Sequence, residues 1–301
     1  MNYAVVDLGS NTIRLSVYKD TDDGGFRLLF SQKETAGLAG YVQAGALSPE
    51  GIDLACAVLQ EFRAITVQFG IEEMHVLATA SLRNISNTSE AVEAIRERTG
   101  TAPDILSGRA EAELGYYGAV HRVDFSNGIF FDIGGGSTET AVVSGGEVRR
   151  AGSIPIGSLN LFERFVSEIW PSTQELEAMT EYLYTALSQA DLPPVPTPRV
   201  CGIGGTARAL LKISNSYFGK PASCCTISLE ELLRLHNTLT GKEPATRKLI
   251  LRKCPDRVHT ILPGTVLMTA LARRICRSEI LISPYGVREG YLCKKLMKSQ
   301  I

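Results

Sequence analysis

The sequence predicts an α/β protein built from two related domains, and three observations support this. An apolar strand, an Asp-apolar-Gly turn and a second strand occur at residues 3–17 and again at 129–143. Strand-like and helix-like apolar periodicities alternate along the chain. The 301 residues suffice for two ordinary domains. We therefore predict a duplicated mixed sheet flanked by helices, with domains at 1–121 and 122–301 and a cleft between them.

The two copies of the repeated unit share the same motif, an aspartate followed by a glycine-rich turn. In the first, Asp7 precedes a turn over residues 9–12, and in the second Asp132 precedes a turn over residues 134–137. A further glycine turn follows each copy, at residues 22–25 and 144–146. Each unit therefore predicts two strands joined by a glycine-rich turn, followed by a second tight turn.

The other elements follow from caps and periodicity. Helices are expected from Ser48-Pro49 to Gly70, from a cap at Thr88 or Ser89 to Gly100, and from Ser107-Gly108 onward. Strands are expected at 74–79, 104–106 and 200–203, the last ending in a third glycine turn at 204–206 that opens a helix. The proline-rich stretch 191–198 predicts an exposed connection, and mostly helical segments follow it.

Composition restricts the class of protein. Apolar residues make up 44% and charged residues 21%, values typical of a globular protein. A net charge of −1 provides no global attraction to nucleic acid or membrane, so we expect neither as a partner. The seven cysteines show no metal-binding spacing, and no signal peptide precedes the first strand. We therefore expect reduced thiols and a cytoplasmic protein.

The glycine turns indicate phosphate binding. Backbone N–H groups approach phosphate oxygens closely only where side chains are absent. A single Gly-Gly pair more often closes a hairpin. Hairpin closure does not require an aspartate before both turns, however, and the duplication therefore favours a phosphate and its cation held between the two domains.

Three segments in this order, at 7–11, 132–137 and 202–206, resemble the actin-like (ribonuclease H-like) ATPase superfamily. Four further segments resemble the exopolyphosphatase and guanosine pentaphosphate phosphohydrolase family more narrowly. They are residues 78–83 (Ala-Thr-Ala-Ser-Leu-Arg), 107–112 (Ser-Gly-Arg-Ala-Glu-Ala), the Ser-Thr-Glu ending at 137–139, and 286–290 (Gly-Val-Arg-Glu-Gly). The resemblance covers essentially the whole chain.

The resemblance implies a metal-dependent hydrolase that releases the terminal phosphate of inorganic polyphosphate, of guanosine pentaphosphate, or of both. Mg²⁺ or Mn²⁺ would be held by carboxylates, since these cations prefer oxygen ligands. The expected ligands are Asp7, Asp132 and Glu139. The expected phosphate-binding residues are Gly9, Ser10, Asn11, Thr12, Arg14, Arg83, Gly134, Gly135, Gly136, Ser137, Gly204, Gly205 and Thr206.

The family pattern places the general base at Glu111, where a positioned carboxylate would orient and deprotonate the attacking water. Without the resemblance, a solvated glutamate paired with an arginine would be the default interpretation. Arg14 and Arg83 have the corresponding alternative of an ordinary surface ion pair. Two positions depart from the family pattern: Ala110 stands where relatives often have a glutamate, and His259 where an acidic residue is more usual.

Two other functions stay open at this stage. An actin-like kinase would transfer phosphate from ATP to a small acceptor through the same glycine turns. A non-catalytic sensor would bind guanosine tetra- and pentaphosphate without hydrolysing them. The segment containing Glu111 favours the hydrolase over both. The sequence leaves open the preference between the two substrates, the preferred chain length and a homodimer.

Overall fold

The structure, a computed structural model, describes residues 1–193, 196–241 and 243–297. Strands of the N-terminal part are β1 (Asn2–Leu8), β2 (Ile13–Asp20), β3 (Phe26–Glu34), β4 (Val42–Gln43), β5 (Ala46–Leu47), β6 (Met74–Ala78) and β7 (Asp104–Ile105). Its α-helices are α1 (Pro49–Gln68), α2 (Ala80–Arg83), α3 (Thr88–Thr99) and α4 (Gly108–Val120).

The remaining strands are β8 (Gly128–Ile133), β9 (Thr138–Ser144), β10 (Glu147–Ile154), β11 (Thr197–Ile203), β12 (Thr226–Ser228) and β13 (Cys276–Ile282). The remaining helices are α5 (Ser158–Phe165), α6 (Thr173–Gln189), α7 (Gly204–Tyr217), α8 (Leu229–Thr240), α9 (Pro244–Lys253), α10 (Ile261–Ile275) and α11 (Val287–Tyr291), followed by a π-helical turn at Leu292–Leu296. Within the described residues, no helix is long and apolar enough to cross a membrane.

Two mixed sheets repeat one topology. The first has the order β3-β2-β1-β6-β7, and the second has β10-β9-β8-β11-β13 with β12 added at its edge. In each, the first three strands in chain order are antiparallel neighbours and the next two are parallel. The duplication and the mixed α/β layers predicted from the repeated unit are therefore confirmed.

The core follows the alternation of side chains along the strands. Ala4, Val6 and Leu8 pack into the cluster under the first sheet, while Val5 faces a central cluster that it shares with Phe130 of β8. Helices α4 and α11 contribute to this central cluster. They cross so closely that a side chain at Gly118 or Gly290 would overlap backbone of the other helix. Helix α4 also packs on β8, β9 and β10 of the second sheet. The predicted boundary between the domains at residue 121 stays a prediction.

The predicted helix caps are mostly confirmed. Ser48 Oγ accepts from Gly51 N at 3.3 Å, and Ser107 Oγ accepts from Ala110 N at 3.2 Å. The predicted cap of α3 is wrong, since the hydroxyl of Thr88 donates backward to the carbonyls of residues 82 and 85 and Asn87 occupies the cap position. Of the proline-rich stretch, Leu192 is buried, and Pro194 and Val195 lie outside the described residues.

Candidate active site

The two repeated turns have the same backbone hydrogen bonds. Gly9 N–H donates to the carbonyl of Thr12 at 3.1 Å, and Gly134 N–H donates to that of Ser137 at 3.0 Å. The next helical segment then satisfies carbonyls of each turn, with Ala39 N–H donating to Ser10 and Leu159 N–H donating to Gly135. Within the described part of the chain, the N–H groups at positions 10, 11, 135 and 136 donate to no protein acceptor. Such free donors are what an anion nest requires, and phosphate binding by the two turns stays a prediction.

The turns face each other across a narrow gap, which is tight at Gly136 and allows ordinary contact at Gly135. A side chain at Gly136 would place its first carbon 2.9 Å from Ser10 Oγ, and one at Gly135 would lie 3.6 Å from that of Asn11. The third turn is similar, because Gly204 has φ +89° and any side chain there would overlap Asp132. A side chain at Gly205 would overlap the guanidinium of Arg257.

A cavity of about 140 Å³ lies between the turns. Most of the predicted site residues line it: Asp7, Gly9, Ser10, Asn11, Thr12, Arg14, Glu111, Asp132, Gly134, Gly135, Gly136, Ser137, Gly204 and Gly205. Arg83, Glu139 and Thr206 are not among its lining residues. Thr206 is buried in α7 facing Gly264 of α10, and Arg83 and Glu139 lie behind the wall that contains Glu111.

Two carboxylates adjoin in the second copy, the half-buried Asp132 and the buried Glu139. Strand pairing sets Asp132 directly opposite Glu139, which is fully buried. Burial, and next the charge of Glu139, raise the pKa of Asp132 to about 7. Burial likewise raises the pKa of Asp7. Glu139 Oε1 accepts from Ser153 Oγ at 2.7 Å, whereas its Oε2 has no hydrogen-bond partner among the described residues.

Glu111 lies in the first turn of α4 and is 7% exposed. Its Oε2 accepts from Arg83 Nη1 at 2.6 Å, and Arg83 Nη2 reaches Glu139 Oε1 at 3.1 Å. Burial, and next the charge of Glu139, raise the pKa of Glu111 well above its ordinary value. Arg83 thus holds two carboxylates, and its role as a phosphate ligand stays a prediction.

Four charged residues of the cavity were given no role from sequence: Arg208, Arg257, Arg288 and Glu289. A signal existed for Arg208, which lies one helical turn after Gly204 and therefore on the same face of α7. Arg288 and Glu289 belong to the closing glycine-flanked segment. Glu289 accepts from Tyr18 Oη at 2.5 Å, and Arg288 donates to Ser16 Oγ at 3.1 Å, which fixes both side chains against β2.

The two departures from the family pattern lie beside the cavity. The ring of His259 packs edge-on against Phe162 with centroids 5.4 Å apart, and burial followed by the charge of Arg257 lowers its pKa. Ala110 contributes its backbone N–H to the helix cap at Ser107. Neither residue lines the cavity.

The carboxylates fit a magnesium or manganese ion held by few protein ligands. No group of three His, Cys, Asp or Glu side chains within residues 1–193, 196–241 and 243–297 is placed to enclose a metal ion. Mg²⁺, however, usually keeps several waters and binds through one or two carboxylates plus substrate phosphates. The Glu139 oxygen that has no hydrogen-bond partner among the described residues carries negative charge that a nearby cation would neutralise, and a cation at Asp132 would favour its ionised form.

Comparisons with known proteins find similarity over nearly the full length of this chain. This chain is similar to exopolyphosphatase 1 of Mycobacterium tuberculosis (24% identity, covering 98% of this chain and 88% of the relative) and of Mycobacterium leprae (25%, 98% and 90%). Among solved structures, it resembles an exopolyphosphatase from Cytophaga hutchinsonii, with a TM-score of 0.83, 22% identity and 100% and 99% of the two chains covered. It also resembles a Ppx/GppA family member from Aquifex aeolicus, with a TM-score of 0.80, 23% identity and 99% and 98% covered.

The likeness to these structures establishes the two-domain actin-like fold that the sequence predicts. The model of the Ppx/GppA phosphatase family matches residues 16–299, which begin after the first glycine turn and include the second and third. By that match, the chain belongs to the Ppx/GppA phosphatase family.

Proposed function

We propose that the chain is a metal-dependent phosphoanhydride hydrolase. It releases terminal orthophosphate from inorganic polyphosphate, converts guanosine pentaphosphate to tetraphosphate, or does both. One observation carries the proposal: the carboxylate of Glu111, held by Arg83, borders a cavity that two sets of free backbone N–H groups also line. The family match and the exopolyphosphatases among the relatives support the same reaction.

The cavity has the charges that phosphoryl transfer requires. Its backbone donors and the guanidinium groups of Arg14, Arg208, Arg257 and Arg288 would bind the non-bridging oxygens of the substrate. The backbone donors are fixed by the two turns and Arg288 is held by Ser16 before the substrate arrives, so these groups stabilise developing charge without reorganising. Substrate binding therefore positions the terminal phosphorus between the two turns.

Glu111 would act as the general base. Its carboxylate takes a proton from the attacking water as the water oxygen bonds to the terminal phosphorus, and the bridging P–O bond breaks. The shortened phosphate chain leaves with the electron pair of that bond. Arg83 fixes the carboxylate at 2.6 Å, and the raised pKa of Glu111 makes it a stronger base once it is deprotonated.

Asp132 and Asp7, which line the cavity from opposite sheets, would hold Mg²⁺ or Mn²⁺ together with waters and substrate phosphates, and Glu139 would add negative charge beside Asp132. When bound, this cation neutralises charge on the phosphate oxygens. Because Asp7 and Asp132 belong to different sheets, such a site depends on the cleft between the two copies of the repeat.

The proposal is tested by measuring phosphate release with and without Mg²⁺. The substrates are polyphosphates of graded length, guanosine pentaphosphate and ATP. Release from at least one of the first two substrates that requires the metal would support the hydrolase. Turnover of ATP only when a small acceptor is added would indicate the kinase instead. Tight binding of guanosine tetraphosphate without any release would indicate the sensor.

A further inference from the structure

A second, larger cavity adjoins the candidate active site. It measures about 650 Å³ and lies between α7, the loop at residues 220–225, the end of α9 and the segment after β13. Five cationic side chains line it: Arg122, Arg208, Lys212, Lys220 and Lys253. Its lining residues include no aspartate and no glutamate. A concave surface with charge of one sign concentrates ligands of the opposite charge.

Helix α7 connects this basic cavity to the cleft. Gly204 and Arg208 line the cleft, and Arg208, Lys212 and Asn215 line the basic cavity. Spacings of three and four residues place these positions along one face of the helix, over roughly 16 Å at 1.5 Å per residue. Arg208 lines both cavities, so an extended anion in the cleft would continue along this face.

Much of the positive charge in the basic cavity is not neutralised by the protein. Lys220 Nζ pairs with Glu231 at 2.8 Å. Lys212 and Lys253 form no ion pair with any residue that the structure describes, and Arg122 packs over the ring of Tyr285 at 5.5 Å. The cavity lining also contains no aromatic side chain on which a nucleobase could stack.

We propose that the basic cavity binds the part of the phosphate chain that lies beyond the group being hydrolysed. This inference rests on the proposed function and specifies its substrate as an extended phosphate chain. The cleft holds the terminal phosphate, Arg208 contacts the chain where it leaves the cleft, and Lys212 and Lys253 bind the distal phosphates. A two-phosphate ligand fills the cleft alone and does not depend on these lysines.

The test measures equilibrium binding to the E111Q variant, so that hydrolysis does not interfere. We expect K212Q/K253Q on that background to bind long-chain polyphosphate roughly 10–100-fold more weakly, because two charge-assisted contacts on an open surface are lost. Pyrophosphate binding should stay unchanged. The matched control K248Q/K295Q removes the same charge from exposed sites outside the cavity and should alter neither ligand.

Cys224 provides an independent readout, because it lines the basic cavity while five other cysteines are buried. In a C225S background, long-chain polyphosphate should slow alkylation of Cys224, and pyrophosphate should not. Equal weakening of both ligands by K212Q/K253Q, no weakening at all, or the same loss in the control would overturn the proposal. So would protection of Cys224 by guanosine tetraphosphate but not by polyphosphate.

These results separate the inference from the proposed function. If wild-type protein releases no phosphate from any substrate, the proposed hydrolase fails, whatever the lysine variants do. If it hydrolyses tripolyphosphate normally while K212Q/K253Q leaves chain binding and Cys224 protection unchanged, only the distal binding site fails.

Discussion

The two copies of the repeated unit have the same backbone but opposite charge at one position. Strand pairing sets Asp7 opposite Arg14 in the first copy and Asp132 opposite Glu139 in the second. The first copy therefore contains its own counter-ion. The second places the half-buried Asp132 beside the buried Glu139, and burial followed by the charge of Glu139 raises the pKa of Asp132 to about 7.

This difference separates two tasks that the sequence repeat makes look alike. The first copy, with Arg14 lining the cavity, is suited to binding an anion. The second copy, joined through Arg83 to Glu111, is suited to binding a cation and activating water. The predictions below test this division between the copies.

The largest effect is expected at Glu111, the carboxylate that Arg83 links to Glu139 of the second copy. Glu111→Gln keeps the shape and removes the base, so turnover should fall by roughly 10²–10⁴-fold with little change in substrate binding. Glu113→Gln on the same helix is the matched control, since Glu113 pairs with the exposed Arg109 outside the cavity. Near-native turnover of E111Q would mean that the water is activated elsewhere.

In the absence of metal, the carboxylates of the second copy should also make the free energy of unfolding depend on pH. A carboxylate whose pKa rises from 3.8 to about 7 on folding stabilises the fold only while it is protonated. In chelator, Asp132 should therefore lower the free energy of unfolding as pH rises from about 4 to about 7, by at most about 4 kcal/mol, and Asp7 and Glu111, whose pKa is also raised, add to the decrease. Denaturant titrations across this range measure the decrease, and Asp132→Asn should make it shallower. An equally steep decrease in D132N would assign the effect to other groups.

The next effect concerns the Mg²⁺ dependence of activity, which should distinguish the second copy from the first. Asp132→Asn removes one ligand charge, and we expect the Mg²⁺ concentration for half-maximal activity to rise roughly 10–100-fold. Asp53→Asn is the control, since Asp53 pairs with Arg98 on an exposed surface. If activity falls while the metal titration does not move, Asp132 holds the turn rather than the cation.

The smallest effect is expected at the anion-binding copy. Arg14→Gln should raise KM roughly tenfold, because one cation of the cavity is lost, while kcat changes less. Arg27→Gln, exposed on β3, is the matched control. Steady-state kinetics decide the point, and a fall in kcat with constant KM would place Arg14 in the chemical step instead.

Local sequence patterns were sufficient for most elements and misleading at one helix start. The sequence identifies Ser107 as a cap correctly, because its hydroxyl accepts from the N–H of Ala110, only three residues further along the chain. Thr88 was identified on the same grounds and does not cap α3, because its hydroxyl bonds backward to carbonyls that α2 and its C-terminal loop place there. A cap depends on nearby backbone that the sequence pattern does not specify.

The duplicated strands, the glycine turns and most of the residues that line the cleft could be predicted from the sequence. These features depend on local rules: side-chain alternation in a strand, and closure of a turn by Gly9 or Gly134 over four residues. The pairing of Arg83 with Glu111 and Glu139, which lie 28 and 56 residues away, and the entry of Arg257 and Arg288 into the cavity became visible only in the fold. Burial and charge pairing depend on how the two sheets face each other, and no local pattern records that distance.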